Sequence, residues 1–370
     1  MTGLHRTVAG ADAWLALALV EGLTARKAFE LTRVYGAPEA VLGATPQALE
    51  HSGVPVEVVA RVAAAPERMR REREALAHAG AVAITWVDPS YPARLRTIAD
   101  PPLVLFVRGT LEPCDDLAIA IVGARRAGEY GRRVAGELAQ GLAQAGVTVV
   151  SGLAAGIDAA GHRGALEAGG RTLAVMATGV DGVYPAWHRD LARDVAARGA
   201  LVTEFACGTS PRHFHFPQRN RIISGLVMGT VVVEAAERSG SLITAQFAME
   251  QGREVFAVPG PVGTPSHRGC HRLIQQGAML VTSIDDILDT VAPALRARVA
   301  AARAACAQAD LTATERQLLD AIGDEGAHVD QIASQSGAVT GVVLETLLAL
   351  ELLGLVEQRP GMRFVRRRAA

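Results

Sequence analysis

Arg219, Asn220 and Arg221 follow one another in Phe214-His-Phe-Pro-Gln-Arg-Asn-Arg-Ile-Ile-Ser-Gly-Leu226, and the apolar run Val231–Val233 soon opens into Ser239-Gly240-Ser241. Both segments read as helix starts. The first turn of a helix has unpaired N–H groups at the positive end of its dipole, so it holds anions. Arginine adds planar, bidentate recognition of phosphate. Two such starts in one α/β unit point to a phosphate-bearing ligand, either a nucleotide or a nucleic-acid strand.

Three more loops carry the same chemistry. Gly123-Ala-Arg-Arg-Ala-Gly128 lies where a dinucleotide-binding loop would lie, between a strand and a helix. That fingerprint needs its second glycine so that backbone can approach a pyrophosphate; here Arg125 stands there, followed by Arg126. The substitution counts against NAD or FAD and presents a guanidinium to an incoming phosphate oxygen. Ser151-Gly152-Leu-Ala-Ala-Gly156-Ile-Asp158 has glycines that would permit positive φ and a nest of N–H groups. Asp158 there either caps a helix or contacts a base or ribose. In Thr178-Gly-Val-Asp-Gly-Val-Tyr-Pro185, Asp181 and Tyr184 would brace a turn. Catalysis finds little support. Ser151 lacks the glycines of a nucleophile elbow, His213-x-His215 has no third metal ligand, and Glu204 and Glu234 are single carboxylates suited equally to general-base work or to pairing Arg219 and Arg221. Neither a catalytic set, a metal nor a cofactor is expected.

Such loops need a rigid frame. From Ala81 to about Ile287 short apolar runs alternate with amphipathic segments: 117–122, 147–150, 172–176, 201–203, 230–233, 255–257 and 278–281 read as strands. Continuous apolar strands separated by helices predict a doubly wound, mostly parallel, Rossmann-like α/β sheet covered on both faces. Its ligand would lie beyond the strands' carboxyl ends, where strand order reverses. Before it, residues 1–78 read as a helical module of sterile-alpha-motif or helix-hairpin-helix type, with Thr24 and Thr45-Pro46 starting helices and Gly36-Ala-Pro38 stopping one. Such modules hold DNA backbones in some settings and serve packing in others. The sheet domain spans 79–290 and a linker 291–309. Residues 310–368 then predict a winged helix-turn-helix: a Thr312–Glu315 capping box, Asp330 capping a second helix, Gly337 in a turn, a third helix over 339–353 and a hairpin over 355–365. The third helix offers Thr340, Glu345 and Glu351 as polar residues and none of the arginine or asparagine a base-reading helix would want. It suits protein contact at least as well as duplex binding.

Composition narrows the class. The 370 residues carry a net charge of −1, so any nucleic-acid site must come from local segregation of charge. Lys27 is the only lysine, so the position of an arginine, not its identity, carries the argument. The four cysteines (Cys114, Cys207, Cys270 and Cys306) are scattered, as expected of reduced thiols in a cytoplasmic protein. No apolar run reaches the length of a membrane span, and the N-terminus lacks a secretory pattern.

Taken in order, Val122-Gly-Ala-Arg125, Ser151-Gly-x-Ala-x-Gly-Ile-Asp158, Gly179-Val-Asp181 to Tyr184-Pro185, Phe216-Pro-Gln-Arg-Asn-Arg-Ile-Ile223, Glu234-Ala to Ser239-Gly-Ser-Leu-Ile-Thr-Ala245, Gly252-Arg253 to Gly260, and Gly269-Cys-His-Arg-Leu-Ile-Gln-Gln-Gly-Ala278 resemble the DprA (Smf) family of DNA-processing proteins. The resemblance spans about Asp88 to Leu288. It implies a homodimer without established catalytic activity that binds single-stranded DNA and loads RecA recombinase onto it, displacing single-strand-binding protein, in natural transformation. Carried over by motif, Arg125 is the leading phosphate ligand, beside Gly123 and Arg126. The Ser151, Gly152 and Gly156 loop and Arg219, Asn220 and Arg221 line the groove, with Ser239, Gly240 and Ser241 at its mouth. Phe214 or Phe216 would stack on bases. Three positions depart from the pattern: Ala124 for Ser or Thr, Val227 for Ser, and Ala186 for a lysine that Arg189 or His188 would replace. A rival resemblance is to nucleotide-processing enzymes of the lysine-decarboxylase-like group. Their Pro-Gly-Gly-x-Gly-Thr-x-x-Glu loop corresponds to Arg238–Thr244, which lacks the glutamate. A third reading, a winged-helix regulator with an α/β sensor domain, suffers from the poor recognition helix.

Overall fold

The computed structural model describes residues 10–293, 312–322, 326–352 and 355–366. The linker beyond residue 293, Cys306 and the basic tail at Arg367 and Arg368 lie outside the described residues. The chain forms two compact units, 1–287 and 288–370.

The first unit opens with six helices, α1 (Ala11–Ala18), α2 (Ala25–Tyr35), α3 (Pro38–Leu42), α4 (Pro46–His51), α5 (Val56–Ala63) and α6 (Ala65–Ala79). Their ends follow the predicted signals. Thr24 and Thr45 accept the N–H groups of Lys27 and Ala48, and Gly36 closes α2 at φ 85°. The helices share a core with the sheet that follows: Trp14, Leu17, Leu31 and Val58 pack in one buried cluster with Phe106, Ala174 and Leu201. Rings continue that contact from Trp14 to Phe29 (5.2 Å), Phe29 to Trp86 (4.8 Å) and Trp86 to Tyr91 (5.5 Å).

Next come β1 (Val82–Thr85), β2 (Val104–Gly109), β3 (Ala118–Val122), α7 (Glu129–Gln144), β4 (Thr148–Ser151), α8 (Ile157–Glu167), β5 (Thr172–Val175), α9 (Arg189–Arg198), β6 (Ala200–Thr203), α10 (His215–Leu226), β7 (Gly229–Val232), α11 (Gly240–Glu250), β8 (Glu254–Ala257), α12 (Arg268–Gln275), β9 (Met279–Leu280) and α13 (Ile284–Val291). The nine strands lie in the order β1-β2-β6-β5-β4-β3-β7-β8-β9. All seven predicted strands are present, to within a residue at either end. Sequence reading missed β1 and β2, which pair antiparallel with each other, β2 also pairing antiparallel with β6, whereas β3 to β9 run parallel. Alternate residues serve opposite faces. Val104 and Phe106 join the helical module, α8 and α9, while Leu105 and Val107 join α10, α11 and α12. Burial on both sides is why these strands read as unbroken apolar runs.

The second unit comprises α14 (Ala313–Ile322), β10 (Ala327–His328), α15 (Val329–Ser336), α16 (Thr340–Leu352), β11 (Val356–Arg359) and β12 (Arg363–Arg366). Leu318, Ile332, Val343, Leu347 and Phe364 are among its core residues, and its sheet order is β10-β12-β11. This is a winged helix. The Thr312–Glu315 box forms as predicted, the Thr312 N–H reaching Glu315 Oε2 at 2.7 Å and the Glu315 N–H reaching Thr312 Oγ1 at 3.3 Å. One cap needs correction. Residue 328, not Asp330, caps α15: His328 Nδ1 accepts the Asp330 N–H at 3.3 Å, and Gln331 Oε1 accepts the His328 N–H at 3.2 Å. The helix therefore begins at Val329, and Asp330 falls in its first turn, where its charge faces the helix dipole.

Candidate nucleic-acid interface

From β3 the chain moves outward through β4, β5 and β6, then returns to place β7 on the other side of β3. The loops that leave β3 and β7 diverge at this reversal. They open a groove of about 570 Å³ lined by Arg125, Arg126, Phe216, Asn220, Ser239 and Ser241, among others. The groove thus lies beyond the carboxyl ends of the strands, where parallel sheets place ligands.

The Arg125 loop is fixed by its backbone. Its Ala124 N–H donates to the Glu234 carbonyl at 2.7 Å, and its Gly128 N–H donates to the Glu234 carboxylate at 3.0 Å. Glu234, at the end of β7, therefore clamps both ends of the loop. It pairs with neither Arg219 nor Arg221, and neither general-base work nor arginine pairing describes what it does here. The Ile157 N–H donates to the Ala124 carbonyl at 3.2 Å, so the start of α8 presses on the same loop. That approach needs Gly156, which has φ 81° and ψ −120° and whose missing Cβ would strike the carbonyls of Ala124 and Arg125. Gly123 is equally crowded: a Cβ there would meet Ile157 and the Glu234 carbonyl. With the backbone held, Arg125 and Arg126 are exposed. The Arg125 guanidinium lies 4.5 Å from the centre of the Phe216 ring, a cation–π contact that orients it in the groove.

The Ser151–Asp158 loop corrects the sequence reading. Two of its N–H groups are already taken from an incoming anion: Asp158 Oδ2 accepts from Gly152 at 3.1 Å and from Ala154 at 3.3 Å. Asp158 thus holds its own loop, as a capping carboxylate does. Ser151 is buried and donates to the Ile121 carbonyl at 2.6 Å. Gly152 leaves space for the Arg219 guanidinium, into which a Cβ would run.

The three consecutive residues on α10 part company, since neighbours on a helix point about 100° apart. Arg219 is 4 % exposed and donates to the Val175 carbonyl beneath the groove. Burial pulls its pKa down to about 10, while the nearby Asp158 acts in the opposite sense. The Asp158 carboxyl is raised by burial, which Arg219 counters. Arg221 does not line the groove. It faces a second cavity, with Nη2 donating to Glu204 at 2.6 Å and Nε to Asp100 at 3.2 Å. Only Asn220 reaches across, its Nδ2 3.4 Å from the Gly240 carbonyl. Arg219 thus lines the groove as predicted, but as a buried residue held by the Val175 carbonyl, whereas Arg221 is corrected: it lies outside the groove, paired with Glu204 and Asp100.

The remaining predicted residues divide similarly. Ser239 caps α11, accepting the Ser241 N–H at 3.4 Å, and leaves Gly240 exposed at the groove mouth. Phe214 is 59 % exposed but lines the second cavity, so Phe216 is the ring in the groove. His213 and His215 diverge, with His213 on the groove and His215 stacked on Phe205 at 4.2 Å. Among the described residues no group of three or more histidines, cysteines or acidic residues could hold a metal ion. His188 is buried against the Leu153 carbonyl at 2.9 Å, whereas Arg189 is exposed at the start of α9.

Comparison with known proteins agrees with this architecture. The family model for DNA recombination-mediator protein A matches residues 82–292, and that for the DprA winged helix domain matches residues 302–362. Protein Smf of Escherichia coli is 43 % identical over 284 residues, covering 76 % of each chain. The DNA processing protein DprA of Streptococcus pneumoniae is 45 % identical over 202 residues, covering 55 % of this chain and 71 % of that one. Among solved structures, Streptococcus pneumoniae DprA superposes with a TM-score of 0.68 at 36 % identity, covering 76 % of this chain and 98 % of that one. Helicobacter pylori DNA processing protein A, solved to explain its single-stranded DNA binding mode, superposes with a TM-score of 0.52 at 25 % identity over 57 % of this chain and 94 % of that one. With both domains matched in order and the curated relatives aligned along most of their length, the chain belongs to the DprA/Smf family of DNA-processing proteins.

Proposed function

We propose that this protein binds single-stranded DNA in the groove between the β3 and β7 loops and delivers the strand to RecA recombinase, as a cytoplasmic homodimer that displaces single-strand-binding protein. One observation carries the reading: an exposed arginine, fixed at its backbone, lies over an aromatic face at the strand-order reversal. A guanidinium beside a ring suits a ligand that presents phosphates and unpaired bases together. The single-strand binding of the Helicobacter pylori relative supports the same ligand, and the matched recombination-mediator family supports the delivery step. A nucleotide-processing enzyme has less to stand on, because Asp158 occupies the loop amides that would cradle a pyrophosphate. Phosphate contacts are shared by all sequences, so binding should show little sequence preference. Equal affinity for duplex and single strand at matched salt would overturn the proposal. For delivery, the readout is RecA filament formation on a strand precoated with single-strand-binding protein.

Arg125→Ala should weaken single-strand binding while leaving the melting temperature unchanged, because the side chain is exposed and its loop is held by backbone bonds. Taking away one neutralised phosphate lowers the slope of log K against log salt by about 0.7. Unchanged affinity and slope would remove Arg125 from the site.

Ending the chain at Asp310 should leave most single-strand affinity in place. The groove and its arginines all precede that point. The comparison belongs near physiological ionic strength, where exposed charges more than about 8 Å apart are largely screened and the basic tail contributes little. Loss of most affinity in the folded, truncated protein would move the principal site to the winged helix.

A further inference from the structure

The aromatic surface does not end at Phe216. Its ring meets that of Tyr184 edge-on, with centroids 5.6 Å apart, and Tyr184 is itself half exposed. Three residues later Trp187 stands 76 % exposed on the short turn Ala186–His188. The chain's other two tryptophans are used differently: Trp14 is 5 % exposed, and Trp86 sits between the rings of Phe29 and Tyr91. The turn beneath Trp187 is anchored through His188, whose ring nitrogen meets the Leu153 carbonyl at 2.9 Å. The indole therefore stands in water on a fixed backbone, and the exposed Arg189 follows two residues later.

Its position matters as much as its exposure. The loop carrying Tyr184 and Trp187 leaves β5, which is two strands from β3 along the same carboxyl edge of the sheet. Neighbouring strands are about 4.8 Å apart, so this loop rises roughly 10 Å from the one carrying Arg125. A strand lying across the sheet edge would meet Arg125, Phe216 and Tyr184, whose side chains touch in that order, and Trp187 lies three residues further along the Tyr184 loop.

We infer that Trp187 is a base-stacking site for single-stranded DNA, the far end of a track that begins at Arg125 and Phe216, with Arg189 taking a phosphate beside it. This rests on the single-strand reading of the groove. The ligand class is an unpaired nucleobase of any identity, because every base has a π-face. A duplex keeps those faces stacked inside, so Trp187 also contributes to the preference for single strands over duplex.

The test uses the full chain with oligothymidylates of graded length. Tryptophan fluorescence should be quenched as the longer oligomers bind, and Trp187→Phe should abolish most of that quenching while preserving affinity. Trp187→Ala should weaken binding of the longer oligomers by about five- to twentyfold, the lower part of the range measured for base–aromatic stacking, and leave the shortest oligomers and duplex unaffected. Its salt slope should match the wild type, which separates the removal of stacking from the removal of a phosphate ligand in Arg125→Ala. Tight oligothymidylate binding without quenching, and with Trp187→Ala unchanged, would overturn the track and leave the groove assignment standing. Failure of the wild type to bind any oligomer would overturn the single-strand reading itself. Loss of self-association in Trp187→Ala with full single-strand affinity would reassign the ring to a contact between copies of the chain.

Discussion

Arg221→Ala is expected to destabilise the first unit by about 3–5 kcal/mol, the usual consequence of removing one partner of a buried ion pair. The carboxylate of Glu204 lies 2.6 Å from Arg221 Nη2, and both side chains are about nine-tenths buried. Burial holds the Glu204 carboxyl above its ordinary range, and Arg221 opposes that rise. A carboxyl raised in the folded state favours folding most at pH below both its folded and unfolded values, and that advantage is lost as pH rises through the folded value. The deficit of Arg221→Ala should therefore widen toward neutral pH and narrow on acidification. Adding Glu204→Gln removes the stranded charge and should recover much of the stability. Denaturant unfolding of the wild type, both single variants and the double variant measures the coupling. A stable Arg221→Ala protein with a reduced salt slope for single strands would return Arg221 to the DNA ligands.

Gly156→Ala should damage binding without removing any ligand group. An alanine there must adopt φ 81° with ψ −120° and push its Cβ into the carbonyls of Ala124 and Arg125. Backbone strain and overpacking of this kind cost about 2–4 kcal/mol together. The loop that aims Arg125 must shift to relieve them, so single-strand affinity should fall at least as far as in Arg125→Ala, accompanied by a lowered melting temperature. Wild-type stability and affinity in Gly156→Ala would show that the close approach of the two loops is dispensable.

Most of the frame was legible because strands buried on both faces leave unbroken apolar runs, and glycines or capping residues mark their ends. The two missed strands illustrate the limit. Val82–Thr85 directly follows a long helix, and Val104–Gly109 emerges from Pro101-Pro102, so neither falls in the repeating strand–helix pattern that revealed the others. The groove was legible in which loops open it and less so in which of their atoms face it. Arg219, Asn220 and Arg221 read as one cationic cluster, although helical spacing alone sends them to three directions. The occupation of the Gly152 and Ala154 amides by Asp158 depends on a side chain folding back along its own loop, and the clamp from Glu234 joins segments more than a hundred residues apart. Neither has a pattern in the sequence.

That use of amides by internal carboxylates bears on how quickly the protein can let go. A pyrophosphate cradle made of backbone N–H groups is preorganised and orders no side chain when its anion binds. Here Asp158 and Glu234 already hold the amides of Gly152, Ala154 and Gly128, so under the proposed function it is the exposed Arg125 and Arg126, on long side chains, that would meet the strand. Each such contact orders several rotatable bonds when it forms and can be given up separately. Residence on DNA should then be brief and steeply salt-dependent, with the strand leaving one nucleotide at a time from either end of the groove.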